Sequence, residues 1–242
     1  MRTRLPVTAG VAWLAAISLG LFLVMLFSSP EVRTRTSVWL TLTPDALRHG
    51  HVWKLVTTSL VNLDPGGKGG VAFFFDLLML WLFVPVLEGF WGTPRFLRFV
   101  VMTALVGNTV GALVGMLLSP HVPIHGLGSV IFASIAAYGV TFSRQQVQLF
   151  GVLPIRGRAL ALGFAGFLFL MTALNGTWAV GAGHFAAMGF AWLLTSGTWQ
   201  PEVWRLRFRR WRMRRKVQVM DGGRPSPGST KKPDDKKQRW VN

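Results

Sequence analysis

Three side chains that could together perform nucleophilic catalysis lie in apolar stretches of this 242-residue chain: Ser129, His184 and Asp76. In a serine hydrolase the hydroxyl attacks a carbonyl carbon, the imidazole takes up the hydroxyl proton, and the carboxylate orients the imidazole. The same residue types also have structural uses, because a serine in an apolar helix often supports packing and a buried histidine can pair with an acid. The elements that position these side chains decide between the two roles.

The composition is that of a membrane protein. The mean hydropathy is +0.42, 51% of the residues are hydrophobic and only 14% are charged. A bilayer core about 30 Å thick needs about 20 helical residues to cross it. The sequence therefore predicts an all-α membrane protein with six transmembrane helices, at about 7–28, 71–91, 96–118, 126–142, 158–174 and 177–197.

The distribution of lysine and arginine predicts the orientation of these spans. Arg2 and Arg4 precede the first span, Arg95 and Arg98 follow the second, and the loop after the fourth span carries three more arginines. The loops 119–125 and 175–176 carry none. Because positive residues accumulate on the cytoplasmic side, both termini are predicted to be cytoplasmic.

This orientation places the three candidate side chains at similar depth. Asp76, Ser129 and His184 all fall within roughly 10 Å of the outer ends of their helices at about 1.5 Å per residue. Glu88 lies twelve residues after Asp76 on the same span, toward the cytoplasm, where we expect a structural role in capping a helix or pairing with loop cations.

Small residues recur every four positions on three spans and predict close helix packing. The ridges are Gly107, Gly111 and Gly115; Ser129, Ala133 and Ala137; and Gly183, Ala187 and Ala191. Bare backbone of this kind lets helices approach closely in lipid. We therefore expect one bundle in which the fourth and sixth spans are in contact.

Several motifs resemble the rhomboid family of intramembrane serine proteases over residues 38–197. Residues 126–133 read Gly-Leu-Gly-Ser-Val-Ile-Phe-Ala, similar to the family's Gly-x-Ser-Gly stretch, and Gly183-His184 is similar to its histidine motif. Phe132 corresponds to an aromatic residue near the catalytic histidine, and Gly126 opens the motif. The resemblance implies a six-helix bundle with a membrane-associated first loop, in which Trp53-Lys54 corresponds to the family's Trp-Arg pair.

The chain departs from the rhomboid pattern at the positions that carry chemistry. Gly128 stands where the family has its nucleophile, and Ser129 follows it. Ala72 and Asp76 stand where the family has the His and Asn that help to bind the oxyanion. An anion beside a developing oxyanion opposes it, and loss of one donor costs about 10²–10³ in rate. On a helix, Ser129 is also rotated by about 100° from Gly128.

These departures predict a rhomboid-like pseudoprotease that binds transmembrane segments of client proteins without cleaving them. The alternative is an active intramembrane serine protease that uses Ser129 and His184. A transporter is disfavoured because the sequence shows no inverted-repeat halves. No cofactor or metal is expected. We interpret His121 and His125 as solvated loop residues rather than zinc ligands, because no third ligand is evident.

The last part of the chain is strongly basic. Fourteen of the 26 Lys and Arg residues lie from Arg205 to Arg239. We expect a membrane domain at 1–200 and, at 201–242, a basic juxtamembrane helix and a disordered tail that attract anionic lipid rather than nucleic acid. The sequence predicts an integral membrane protein of a bacterial inner membrane, and it does not specify the oligomeric state.

Overall fold

A computed structural model of the protein describes residues 8–62, 68–118, 123–149 and 153–197. The basic tail, His121 and most of the loop before Pro123 lie outside these residues. The helices within the described part are α1 Ala9–Phe27, α2 Pro30–Leu40, α3 Pro44–Arg48, α4 Lys54–Thr57, α5 Lys68–Trp91, α6 Thr93–Leu118, α7 Gly128–Thr141, α8 Gly157–Asn175 and α9 Trp178–Thr195.

Each of the six predicted apolar runs overlaps one helix, α1, α5, α6, α7, α8 or α9. Four of them, α1, α5, α6 and α8, are long and apolar enough to cross a membrane, and α7 is a shorter apolar helix. The chain is therefore a predominantly helical membrane protein. The fourth-to-fifth loop differs from the prediction, because it contains a short antiparallel hairpin, β1 Gln146–Leu149 and β2 Leu153–Arg156. Alternating polar and apolar residues in β1 match the two-residue period of a strand.

Glycine residues on α6 bring this helix into close contact with α9. A Cβ added at Gly183 would lie 2.7 Å from the carbonyl oxygen of Gly107 and 3.2 Å from the Cα of Gly111. A Cβ at Gly107 would in turn lie 3.0 Å from the Cβ of Ala187. The backbones therefore meet directly, as the spacing of small residues predicts.

Helix α7 lies at the centre of the bundle and packs against α9, α8 and α5. Ala133 and Ala137 on its small-residue ridge are fully buried. On another face, Tyr138 meets Phe83 of α5 edge to face, with ring centroids 5.6 Å apart. The predicted contact between the fourth and sixth helices is thus present, and α7 is enclosed by protein on most sides.

Glu88, only 1% exposed, joins three helices near the end of α5. Its carboxylate accepts hydrogen bonds from the backbone N–H groups of Gly10 and Val11 at 2.7 and 2.8 Å. It also accepts from the hydroxyls of Thr8 and Thr93, both at 2.6 Å. A carboxylate at the first turn of α1 accepts hydrogen bonds from N–H groups that have no partner in the helix. Its negative charge is also stabilised by the positive end of the helix dipole. Glu88 is thus a helix-capping residue, the first of its two expected structural roles.

The segment between α1 and α5 packs against α6 through α3 and α4. Pro44 of α3 lies against Gly115, where an added Cβ would be 2.6 Å from the proline Cγ. Lys54 is only 7% exposed, and its ammonium donates a 2.7 Å hydrogen bond to the carbonyl of Val38 in the last turn of α2. Trp53 remains 46% exposed, with its ring edge against His51. Lys54 therefore fastens α2 to α4, while Trp53 faces outward.

Candidate functional site

The loop before α7 is held by hydrogen bonds to the first loop. The Thr58 hydroxyl donates to the carbonyl of Ile124 and accepts from the N–H of Leu42. The N–H of Gly126 donates to the carbonyl of Thr58 at 3.0 Å. Gly126 has φ +92°, a conformation that side-chain-bearing residues rarely adopt. Gly126 therefore turns the chain into α7 at a fixed position relative to the first loop.

Gly128 lies directly against His184. A Cβ added at Gly128 would be 2.6 Å from the Nε2 atom and 2.7 Å from the Cε1 atom of the imidazole. The imidazole also stacks on Phe132, one turn further along α7, with ring centroids 5.3 Å apart. The histidine thus occupies the space beside α7 that a side chain at position 128 would need, and position 128 supplies no hydroxyl to it.

Ser129 faces a different helix. Its side chain is 2% exposed, and its hydroxyl donates to the amide oxygen of Asn108 on α6 at 3.2 Å. Its Cβ is among the atoms nearest to a Cβ built at Gly107. Because successive residues of a helix are rotated by about 100°, Gly128 faces α9 while Ser129 faces α6. The hydroxyl is therefore directed into the α6–α7 contact rather than toward His184.

Asn108 completes a buried polar chain that the sequence interpretation missed. Its amide nitrogen donates to the carbonyl of Leu55 at 2.6 Å and to the hydroxyl of Ser59 at 2.8 Å. Asn108 is 1% exposed and links the first loop, α6 and Ser129. The only sequence signal was an amide inside a glycine ridge, where a polar residue in the membrane requires a partner.

Asp76 lies on the other side of the start of α7. Its carboxylate hydrogen-bonds with the backbone of Leu127, and one oxygen would be 3.7 Å from a Cβ at Gly126. A carboxylate at this end of α7 is favoured by the helix dipole. Asp76 therefore faces the backbone at the start of α7, immediately before Gly128.

These side chains share one region but do not form a catalytic relay. Among the described residues, no hydrogen bond connects Ser129, His184 and Asp76 to one another. The described residues also contain no group of three or more His, Cys, Asp or Glu side chains that could hold a metal ion. The arrangement offers an imidazole and a carboxylate, without a nucleophile placed between them.

An open apolar cavity of about 680 Å³ lies beside this region, between α5, α7 and α8. Asp76 is the one charged side chain among the described residues that line it. Ala72 contributes only a methyl group to the lining. Helices α5 and α8 meet at one end of the cavity, where the rings of Phe83 and Phe164 are 5.9 Å apart.

Comparison with protein families identifies the kind of protein to which the chain is similar. Residues 12–195, more than half of the chain, match the model of a family described as "Eukaryotic integral membrane protein (DUF1751)". No curated protein matches the chain. The match supports an integral membrane protein, in agreement with the apolar helices. It gives no support to the expected bacterial inner membrane, because the family is described as eukaryotic.

Proposed function

The chain belongs to this family of eukaryotic integral membrane proteins, and on that premise we propose that it is a rhomboid-like pseudoprotease. In this proposal, six helices cross the membrane with both termini in the cytoplasm, and the protein binds transmembrane segments of other membrane proteins without cleaving them. The motifs around Gly126, Gly128 and His184 support the rhomboid-like architecture. The burial of α7 among its neighbours supports six spans, because a helix enclosed by protein can cross with fewer apolar residues.

The observation that carries the proposal is an open apolar cavity beside a site that lacks a nucleophile. The cavity, of about 680 Å³, is lined by Phe75 of α5, Phe132 of α7 and Phe167 of α8, among other apolar residues. An apolar helix could lie in this opening between α5 and α8. There it would exchange contacts with lipid for closer van der Waals contacts with the protein. Near this opening, the hydroxyl of Ser129 donates to Asn108, and Gly128 supplies no side chain to His184.

Site-specific photo-crosslinking tests this binding mode. A photoreactive phenylalanine analogue is placed at Phe75 or Phe167, which line the cavity, in cells that co-express epitope-tagged single-span membrane proteins. Phe74 and Phe169 are matched controls, since they lie on the same helices, are 64% and 58% exposed, and are not part of the lining.

We expect crosslinks to intact single-span proteins from Phe75 and Phe167, several times more abundant than from the two control positions. Equal crosslinking from all four positions would show that contacts are random collisions in the bilayer, and the proposed binding site would be wrong.

A further inference from the structure

Three arginines lie together where α8 begins. Arg144, Arg156 and Arg158 line a cavity of about 720 Å³ together with Ser143, Ala159 and Leu162. All three arginine side chains are exposed. In the sequence-based topology this end of α8 faces the cytoplasm, where membranes carry anionic lipid.

The local backbone explains why the arginines converge. The N–H of Gly157 donates to the carbonyl of Gln145 at 3.3 Å, so the turn after α7 lies against the first residue of α8. Gly157 permits this approach, since a Cβ there would be 2.6 Å from the carbonyl oxygen of Phe142. The pairing of Gln146 with Arg156 in the hairpin fixes the second arginine beside the first.

The positive charge of this cluster is not neutralised by the described part of the chain. The ion pairs there both involve Asp45 in the first loop, far along the chain from α8. The first turn of α8 contains no acidic residue, and its cap residue Arg156 makes no side-chain capping bond. The start of a helix carries the positive end of its dipole, which adds to the positive potential of the three guanidinium groups. An anion with several acceptor oxygens fits this chemistry.

A second cavity adjoins the arginine cluster and is apolar. It measures about 520 Å³, lies between α7, α8 and α9, and shares Ser143, Arg158 and Leu162 with the basic cavity. The rest of its lining is almost entirely apolar and includes Ala165, Phe185, Met188 and Trp192. Together the two cavities form a cationic compartment next to an apolar one. A free phosphate would fill only the cationic compartment and leave the apolar one empty.

We propose that these two cavities form a binding site for one anionic phospholipid. The headgroup phosphate lies among Arg144, Arg156 and Arg158, and an acyl chain lies against Trp192 and Phe185 between α8 and α9. Arg158 lines both cavities and therefore sits where headgroup and chain are joined. The basic cavity shares Ala159 with the cavity between α5, α7 and α8. The proposal uses the predicted cytoplasmic orientation of α8 but does not require client binding.

Native mass spectrometry of the purified full-length protein tests the site. The probes are dioleoyl phosphatidylglycerol and dioleoyl phosphatidylcholine, added to protein from which bound lipid has been removed. The test variant is the pair Arg156→Gln and Arg158→Gln. The matched control is Arg95→Gln with Arg98→Gln, which removes two exposed arginines from another turn on the same predicted side. The basic tail is present in every variant, so its contribution is the same throughout.

We expect the unaltered protein to retain one phosphatidylglycerol more strongly than phosphatidylcholine. The test pair should weaken retention by about tenfold or more, whereas the control pair should change it by less than about twofold. Ala165→Phe, which fills the apolar cavity while keeping the arginines, should also reduce retention. Soluble glycerophosphoglycerol should not displace the lipid, because it lacks the acyl chain.

Three results would overturn the proposal. Equal loss in the test and control pairs would indicate general charge attraction rather than a site. Full retention in Ala165→Phe, or displacement by glycerophosphoglycerol at similar concentration, would show a site for a free phosphate group. Equal binding of the two lipids would exclude selection by the arginine cluster.

Discussion

Because Gly128 has no side chain, the imidazole of His184 faces no hydroxyl at this position. His184 lies so close that even a Cβ at position 128 would be 2.6 Å from its Nε2 atom. A serine hydroxyl restored at this position would therefore enter space that the imidazole now occupies. The packing around His184 therefore leaves no room for a side chain at position 128 in this arrangement.

The double variant Gly128→Ser and Ser129→Gly tests this conclusion. The variant supplies a nucleophile beside His184, but the imidazole must shift to make room for it. Asp76 still hydrogen-bonds with the backbone of Leu127, and Ala72 supplies no hydrogen-bond donor. We expect a serine-directed phosphonate to label this variant weakly or not at all. Turnover of rhomboid substrates should require Ala72→His and Asp76→Asn in addition. Rapid turnover by the double variant alone would contradict this view.

The capping role of Glu88 gives a prediction about stability. Glu88→Gln places an amide NH₂ group among four donors, so at least one buried donor loses its acceptor. We expect the free energy of unfolding to fall by about 2 kcal/mol or more, measured as a lower midpoint of thermal unfolding in detergent micelles. Glu31→Gln is the matched control, because Glu31 is exposed, and it should change the midpoint little. Similar effects of both substitutions would show that charge, rather than capping, is responsible.

For single residues, the sequence predicts the direction in which a side chain faces better than it predicts the hydrogen-bond partner of that side chain. Helical rotation was enough to predict that Gly128 and Ser129 face different ways. The hydrogen bond from Ser129 to Asn108 depends on how α6 and α7 pack, which no local pattern specifies. Likewise, the four donors of Glu88 come from residues up to 80 positions away in the chain.

The helices were predictable because the membrane imposes long apolar runs. The structure places α6 at Thr93–Leu118 and α9 at Trp178–Thr195, within three residues of the expected boundaries. The hairpin at Gln146–Arg156 was not predicted, since a loop of this length has several possible conformations. Its strands are only four residues each, too short for alternation to give a clear signal.

Two glycines of α9, one in contact with α6 and one not, allow a matched test of the contact between these helices. Gly183→Ala places a methyl group 2.7 Å from a backbone oxygen of α6, so the two helices must separate. We expect a loss of about 1 to 3 kcal/mol in the free energy of unfolding, as for other overpacked sites. Gly189→Ala on the same helix has no heavy atom within 4 Å of its new Cβ and should be neutral or slightly stabilising.

Thermal unfolding of both variants in the same detergent measures this difference. If Gly183→Ala is as stable as Gly189→Ala, then the α6–α9 contact is looser than the structure indicates.

For the whole molecule, the proposed topology rests on the distribution of charge. Arginines occur before α1, between α5 and α6, and after α7, whereas the loops 119–125 and 175–176 on the other side lack Lys and Arg. The long loop between α1 and α5 is the exception on that side, since it and the first residue of α5 together carry five Lys and Arg residues. Reporter fusions after Arg144 and after Gln200 should therefore both read cytoplasmic, and a fusion at Pro120 should read external. A reversed pattern, or an odd number of crossings, would exclude the six-span arrangement and with it the rhomboid-like architecture.

Labelling with a serine-directed fluorophosphonate tests the central claim most directly. The reagent is applied to the unaltered full-length protein in liposomes, beside His184→Ala and Ser129→Ala variants. We predict no labelling above that of the Ser129→Ala variant, because the Ser129 hydroxyl donates to Asn108 and His184 faces a glycine. Labelling of the unaltered protein that disappears in both variants would establish Ser129 as an active nucleophile and contradict the pseudoprotease account.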